Sequence, residues 1–168
     1  GFAAVYGVLK AMEESGKVRR GYFVAGLGAA QFALPGAVDR LRGLREAPEG
    51  SSRDIALGAT DPAQPFGAAL PWPDGPGRPA RAAGAFVVLH DGQLVAYLER
   101  GGRSLVTFAG AEDDPTWIDA LVSLVKDGRL RRISLQRIDG LAAHDSAWAA
   151  ALREHGFVEG YRGLTLRG

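Results

Sequence analysis

The 168-residue sequence contains no cysteine. That excludes a disulfide scaffold, a cysteine nucleophile and any thiolate metal site. Asparagine is absent too, and only Lys10, Lys17 and Lys126 are lysine among 20 basic residues. So strong an arginine bias reads as GC-rich coding, which weakens any case built on the choice of arginine at one position. No apolar run approaches the roughly 18 to 20 residues needed to cross a bilayer, so no membrane partner is expected. Histidine occurs only as His90, His144 and His155, at spacings that give no metal-ligating pattern. The metal expectation is therefore none.

A formal charge of +1 is far from the strongly basic balance of many nucleic-acid binders. The distribution is more telling. Residues 1–53 carry 8 basic and 5 acidic side chains, and the remainder carries 12 and 14. Contact with a polyanion is thus expected near the front.

Phe2, Val5, Leu9 and Met12 recur at helical spacing, and Gly16 supplies a stop. One helix cannot bury such a stripe alone. The expectation is that the chain is the C-terminal piece of a longer protein. A strand over Lys17–Val24, a glycine-rich tip and a returning strand Gln31–Leu34 follow. Helix, strand, tip and strand make the second half of a winged-helix domain, here assigned to residues 1–46 together with a helix over 36–46. Residues 47–83 form a linker and a loop: 47–54 are linker by composition, Ile55–Ala59 reads as a short strand, and the proline density of Asp61–Pro79 excludes helix and central strand there. Because that loop carries Phe66, Leu70 and Trp72, it is expected to be ordered and packed across a sheet. Residues 84–168 read as strands and two helices. Asp91-Gly92 is a hairpin turn, Asp114-Pro115 opens a helix, and Ile133–Ile138 alternates as a single strand. The expected fold class is α+β: a winged-helix half followed by a mostly antiparallel, β-barrel-like module.

No catalytic constellation emerges. Gly26-x-Gly28 lacks the rest of any nucleotide motif and fits a wing tip. Glu112-Asp113-Asp114 precedes a helix, where carboxylates favour the positive end of the dipole. His144, Asp145 and Ser146 are too close in sequence to converge as a triad. Asp61 opens the proline-rich loop without a turn glycine to explain it. The candidate nucleic-acid-binding residues are Lys10, Lys17, Arg19 and Arg20 around the wing, where phosphates can be met. Phe66 and Trp72 could stack on unpaired bases, with Arg78 and Arg81 beside them for phosphates. The same aromatic residues could instead pin the loop to the sheet, or be buried between two copies of the chain.

The runs Val5-Tyr6-Gly7-Val8-Leu9-Lys10-Ala11-Met12-Glu13-Glu14-Ser15-Gly16-Lys17-Val18-Arg19-Arg20-Gly21-Tyr22-Phe23-Val24, the stretches 28–42 and 59–73, Arg81-Ala82-Ala83-Gly84-Ala85, Leu98-Glu99-Arg100-Gly101-Gly102-Arg103-Ser104-Leu105 and Arg162–Arg167 can be taken together. They resemble the bacterial Lhr, or large helicase-related, superfamily 2 helicases. The resemblance implies the extreme C-terminal end of an ATP-dependent helicase of the bacterial cytoplasm. Such a helicase moves 3′-to-5′ on single-stranded DNA, unwinds DNA and RNA–DNA duplexes and serves DNA repair. It implies no cofactor in this stretch, with ATP and Mg²⁺ bound by an upstream motor. Its implied partners are single-stranded DNA or an RNA–DNA hybrid, the upstream domains, and further copies in a homo-oligomer. A likeness to winged-helix DNA glycosylases is implied as well, with uracil or an alkylated base as substrate. Of the Gln-x-Gln motif on which those enzymes rely, Gln31-Phe32-Ala33 offers the first glutamine alone. The functional expectation is a non-catalytic accessory module of a helicase; the alternatives are a glycosylase-like module and a pure oligomerisation module.

Overall fold

The computed structural model describes residues 1–28, 30–45 and 53–168. The chain divides into two compact units, Gly1–Ser51 and Ser52–Gly168.

In the first unit, helix α1 (Phe2–Glu14) is followed by an antiparallel ribbon of β1 (Arg19–Gly21) and β2 (Gln31–Ala33), then by helix α2 (Ala37–Arg45). The helix and ribbon meet through aromatic edges. Phe2 packs against Tyr6, and Tyr6 against Phe32, with ring centroids 6.0 Å apart in each pair. The ribbon loop is held by one side chain. The Gln31 amide oxygen accepts the backbone N–H groups of Phe23 and Val24, both at 2.8 Å. Its nitrogen donates to the carbonyls of Val24 and Gly28 at 2.9 and 3.0 Å. All of its polar capacity is spent on shaping the loop.

The second unit is built on a six-stranded sheet in the order β3 (Asp54–Gly58), β4 (Phe86–His90), β5 (Gln93–Leu98), β6 (Ser104–Thr107), β8 (Arg137–Ile138), β9 (Leu141–Ala142). Strand β7 (Arg132–Leu135) leaves that sheet to join β10 (Val158–Gly160) and β11 (Gly163–Arg167) in a three-stranded sheet ordered β10-β11-β7. Helices α3 (Trp117–Lys126) and α4 (Ala149–Glu154) complete the unit. Asp91 and Asp139 each adopt positive φ before a glycine of positive φ, the geometry that turns a hairpin sharply.

The expected barrel-like closure is not present. Among the described residues β3 and β9 are the two edges of the large sheet and do not pair. The reason lies after α3. The Ile133–Ile138 run, expected to be one strand, breaks at Gln136. Its first half pairs with β11, and its second half adds to β6 in parallel over two residues. A strand divided between two sheets cannot carry the first sheet round to its own edge. Strand β3 falls where a short strand is expected over Ile55–Ala59, and residues 53–83 lie with the second unit.

The large sheet is covered on both faces. One face meets α3 and α4 through a core that includes Val88, Leu98, Trp117, Leu121 and Leu164. The other presents Val87, Leu89, Tyr97 and Val106 to the proline-rich loop, with Phe66, Trp72 and Ala82 packed against them. The loop therefore acts as a second layer, and its apolar residues do the covering.

Edge strand β3 is clipped at its entry. The Asp54 carboxylate lies 2.9 Å from Nδ1 of His90, and the backbone N–H of Arg53 donates to the Asp91 carboxylate at 3.0 Å. The hydrogen bond to Asp54 raises the His90 pKa, aided by the charges of Asp54, Asp91 and Asp114 and opposed by burial. A raised histidine pKa contributes stability below the ordinary value of about 6.5 and loses it as pH rises through the folded value. The midpoint of His90 in an NMR titration should accordingly lie above about 6.5 and fall in Asp54→Asn. The stability difference between wild type and Asp54→Asn should be larger at about pH 6 than at about pH 8. A difference independent of pH would show that the pair is not charged.

Candidate nucleic-acid interface

The wing presents its basic residues in two states. Lys10 lies 4.0 Å from Glu14, and the Arg20 Nε lies 3.3 Å from Glu13. Lys17 and Arg19 are exposed and form no ion pair among the described residues. The ribbon register separates the two arginines: Arg19 stands opposite Ala33, and Arg20 opposite Phe32 on the α1 side. Near the loop Tyr22 is 82% exposed. A groove of about 470 Å³, lined by Phe2, Leu9, Phe23, Leu27 and Phe32, lies against the ribbon.

The other four sequence candidates fall in the second unit. The guanidinium of Arg81 donates to three loop carbonyls: Gln64 at 2.8 Å, Phe66 at 3.3 Å and Asp61 at 3.1 Å. The Gln64 side chain, 1% exposed, donates to the Ala59 and Phe66 carbonyls and accepts the Phe66 N–H. Trp72 meets Tyr97 edge to face at 5.8 Å. The backbone at Gly67 has φ +74, and a Cβ there would come within 2.4 Å of the Trp72 ring. Trp72 and Phe66 are half-buried against the sheet, so their rings are engaged in covering it. Tyr97 donates its hydroxyl to the Ala80 carbonyl at 3.1 Å, and burial raises its pKa. Arg78 remains exposed on this loop.

Sequence reasoning missed Gln64. A single glutamine among prolines looks like loop polarity, and only the fold shows it as the hub that the loop carbonyls share. The carboxylate of Asp61 accepts the N–H of Ala63 at 2.8 Å, a local turn that accounts for it. Asp114 accepts the Thr116 N–H at 2.9 Å ahead of α3, and this bond lowers its pKa. Among the described residues no group of three His, Asp or Glu side chains is placed to hold a metal ion. No helix among them is long and apolar enough to cross a membrane.

Comparison with known proteins fits this geometry. A family model described as "Large helicase-related protein, winged-helix domain" matches residues 1–53, the segment that carries α1, the ribbon and α2. A protein of Mycolicibacterium smegmatis, described as "Lhr helicase/ probable uracil glycosylase", is 46% identical over 182 residues, covering 99% of this chain and 12% of that protein. One of Escherichia coli K12, described as "Lhr helicase/uracil glycosylase", is 36% identical over 170 residues, covering 98% of this chain and 11% of that protein. The chain thus spans about an eighth of the length of these relatives. With both units inside those alignments and the wing-bearing segment matched on its own, the chain belongs to the Lhr, or large helicase-related, family.

Proposed function

We propose that the chain is a non-catalytic accessory module of an ATP-dependent 3′-to-5′ helicase that works in DNA repair in the bacterial cytoplasm, and that it helps to hold the nucleic acid. The carrying observation is the wing. In the segment matched by the family model, Lys17 and Arg19 stand exposed on or beside the ribbon and form no ion pair among the described residues. Wings of this kind meet phosphate oxygens, which position a strand without reading its sequence. ATP and Mg²⁺ belong to a motor elsewhere in the longer protein. Single-stranded DNA and RNA–DNA hybrids are the partners assigned to the module.

Fluorescence anisotropy with labelled single-stranded DNA and with an RNA–DNA hybrid tests this. Binding should be measurable at roughly 50 mM salt and fall steeply by roughly 200 mM. Lys17→Gln with Arg19→Gln should weaken it several-fold. Absence of binding by the wild-type chain at the lower salt would defeat the proposal.

The printed names of both relatives favour a second reading, release of uracil from DNA. Incubation of the chain with a uracil-containing oligonucleotide, followed by alkaline cleavage, separates the two. Strand cleavage would replace the non-catalytic reading. Cleavage unchanged in Asp61→Asn would leave Asp61 with its turn alone.

A further inference from the structure

The three-stranded sheet of the second unit has one face in the core and one in solvent. Alternation decides which residues go where. Ile133, Leu135, Leu164 and Leu166 are buried in the core shared with α3 and α4. Their alternates Arg132, Ser134, Thr165 and Arg167 therefore face outward. The register sets Arg167 directly opposite Arg132, and Thr165 opposite Ser134.

Two like charges opposed across neighbouring strands destabilise a sheet. Nothing in the fold offsets this pair: among the described residues neither arginine forms an ion pair. The nearby carboxylate of Glu159 is exposed and lines a groove with Arg167, but it is shared between His144 at 3.1 Å and Arg153 at 3.6 Å. The outer face is thus locally cationic on a chain with nearly balanced charge.

Its shape suits an extended ligand. Two shallow grooves, of about 380 and 240 Å³, share Thr165 and Arg167 as lining. Where β10 and β11 meet, exposed Gly160 adds no side chain to either groove, while its partner Gly163 is buried against the main chain of Leu135. The hairpin between these strands carries Tyr161, which is 99% exposed, beside Arg162. An unpacked aromatic ring next to a cationic groove is the pairing that holds unpaired bases and their backbone.

We propose that the solvent face of the β10-β11-β7 sheet binds the phosphate backbone of a single-stranded nucleic acid, with Arg132 and Arg167 on phosphates and Tyr161 stacking on a base. This rests on the reading of the chain as a nucleic-acid-holding module and adds a second, independent surface to the wing.

The test uses the whole chain and a labelled oligothymidylate of about 15 nucleotides, long enough to span one such site. Arg132→Gln with Arg167→Gln should lower affinity roughly tenfold and reduce the slope of log K against log salt by roughly 2, one for each phosphate contact. Thermal stability should stay equal or rise, because the opposed charges are gone. Tyr161→Ala, at a side chain that supports no packing, should weaken binding at least about fivefold. Wild-type binding that drops in Lys17→Gln with Arg19→Gln but stays within twofold in both sheet-face variants would overturn this inference and leave the accessory reading standing. No binding by wild type would remove both.

Discussion

Replacing Trp117 by alanine is expected to destabilise the second unit by about 3 to 5 kcal/mol, as large buried aromatic truncations do. Trp117 opens α3 and is fully buried. Its indole N–H donates to the Ala111 carbonyl at 3.0 Å, so the turn ahead of the helix is tied to the helix itself. Its ring meets Trp148 edge to face at 5.2 Å, which links α3 to the approach of α4. The variant would lose the packing, open a cavity and leave the Ala111 carbonyl without its partner, and these costs add. Phenylalanine at this position keeps much of the ring volume but not the N–H, and should cost about 1 to 3 kcal/mol. Urea unfolding followed by far-ultraviolet circular dichroism measures both variants without relying on the removed fluorophore. A loss below about 1 kcal/mol for Trp117→Ala would mean that α3 is not anchored through this residue.

Most of the local structure was legible because its determinants are local. The Asp91-Gly92 and Asp139-Gly140 pairs take the turn backbone expected of them, and the strands around the first turn pair as a meander. Apolar spacing placed α1, α2 and α3. The expectation that the proline-rich loop packs across a sheet also holds, for the reason given by its aromatic content. Closure was not legible, because it depends on where Ile133–Ile138 divides. Both halves alternate in the same way, and nothing in the run marks Gln136 as the point of departure. The divide is made by distant groups: the Gln136 N–H donates to the Arg103 carbonyl at 2.8 Å, and the Asp139 N–H to that of Leu105 at 3.0 Å. Asp139 itself was read only as a turn residue, yet its carboxylate also accepts the backbone N–H and the hydroxyl of Thr107, both at 2.7 Å. For the candidate site, the residue types were readable and their availability was not. Lys17 and Arg19 look like Lys10 and Arg20 in sequence, and only the placement of Glu13 and Glu14 separates them. The Arg132–Arg167 pair was invisible because it comes from register between strands that a helix separates in sequence.

Gly163→Ala is expected to cost about 3 to 4 kcal/mol, although it adds a single methyl group. The backbone there has φ +141, a region open to glycine and closed to side chains. An added Cβ would lie 1.9 Å from the Leu135 carbonyl oxygen and 2.9 Å from its carbon. Those are backbone atoms of the paired strand, so no side chain can turn aside to make room. To accept the methyl, β11 must move away from β7 at Leu164 and Leu135, the first pair of their register. That would disturb the apolar layer beneath and the spacing of Arg132 and Arg167 above. Gly160→Ala is the matched control. It sits opposite Gly163 in the same hairpin, and its added Cβ would find nothing nearer than 3.6 Å. Its stability should remain within about 1 kcal/mol of wild type. Urea midpoints of the two variants, measured side by side, test the close approach of β11 to β7. Equal midpoints would show that the sheet does not depend on a bare backbone at Gly163. A large loss confined to Gly163→Ala would show that the strand spacing carrying the arginine pair is set by contact between main chains.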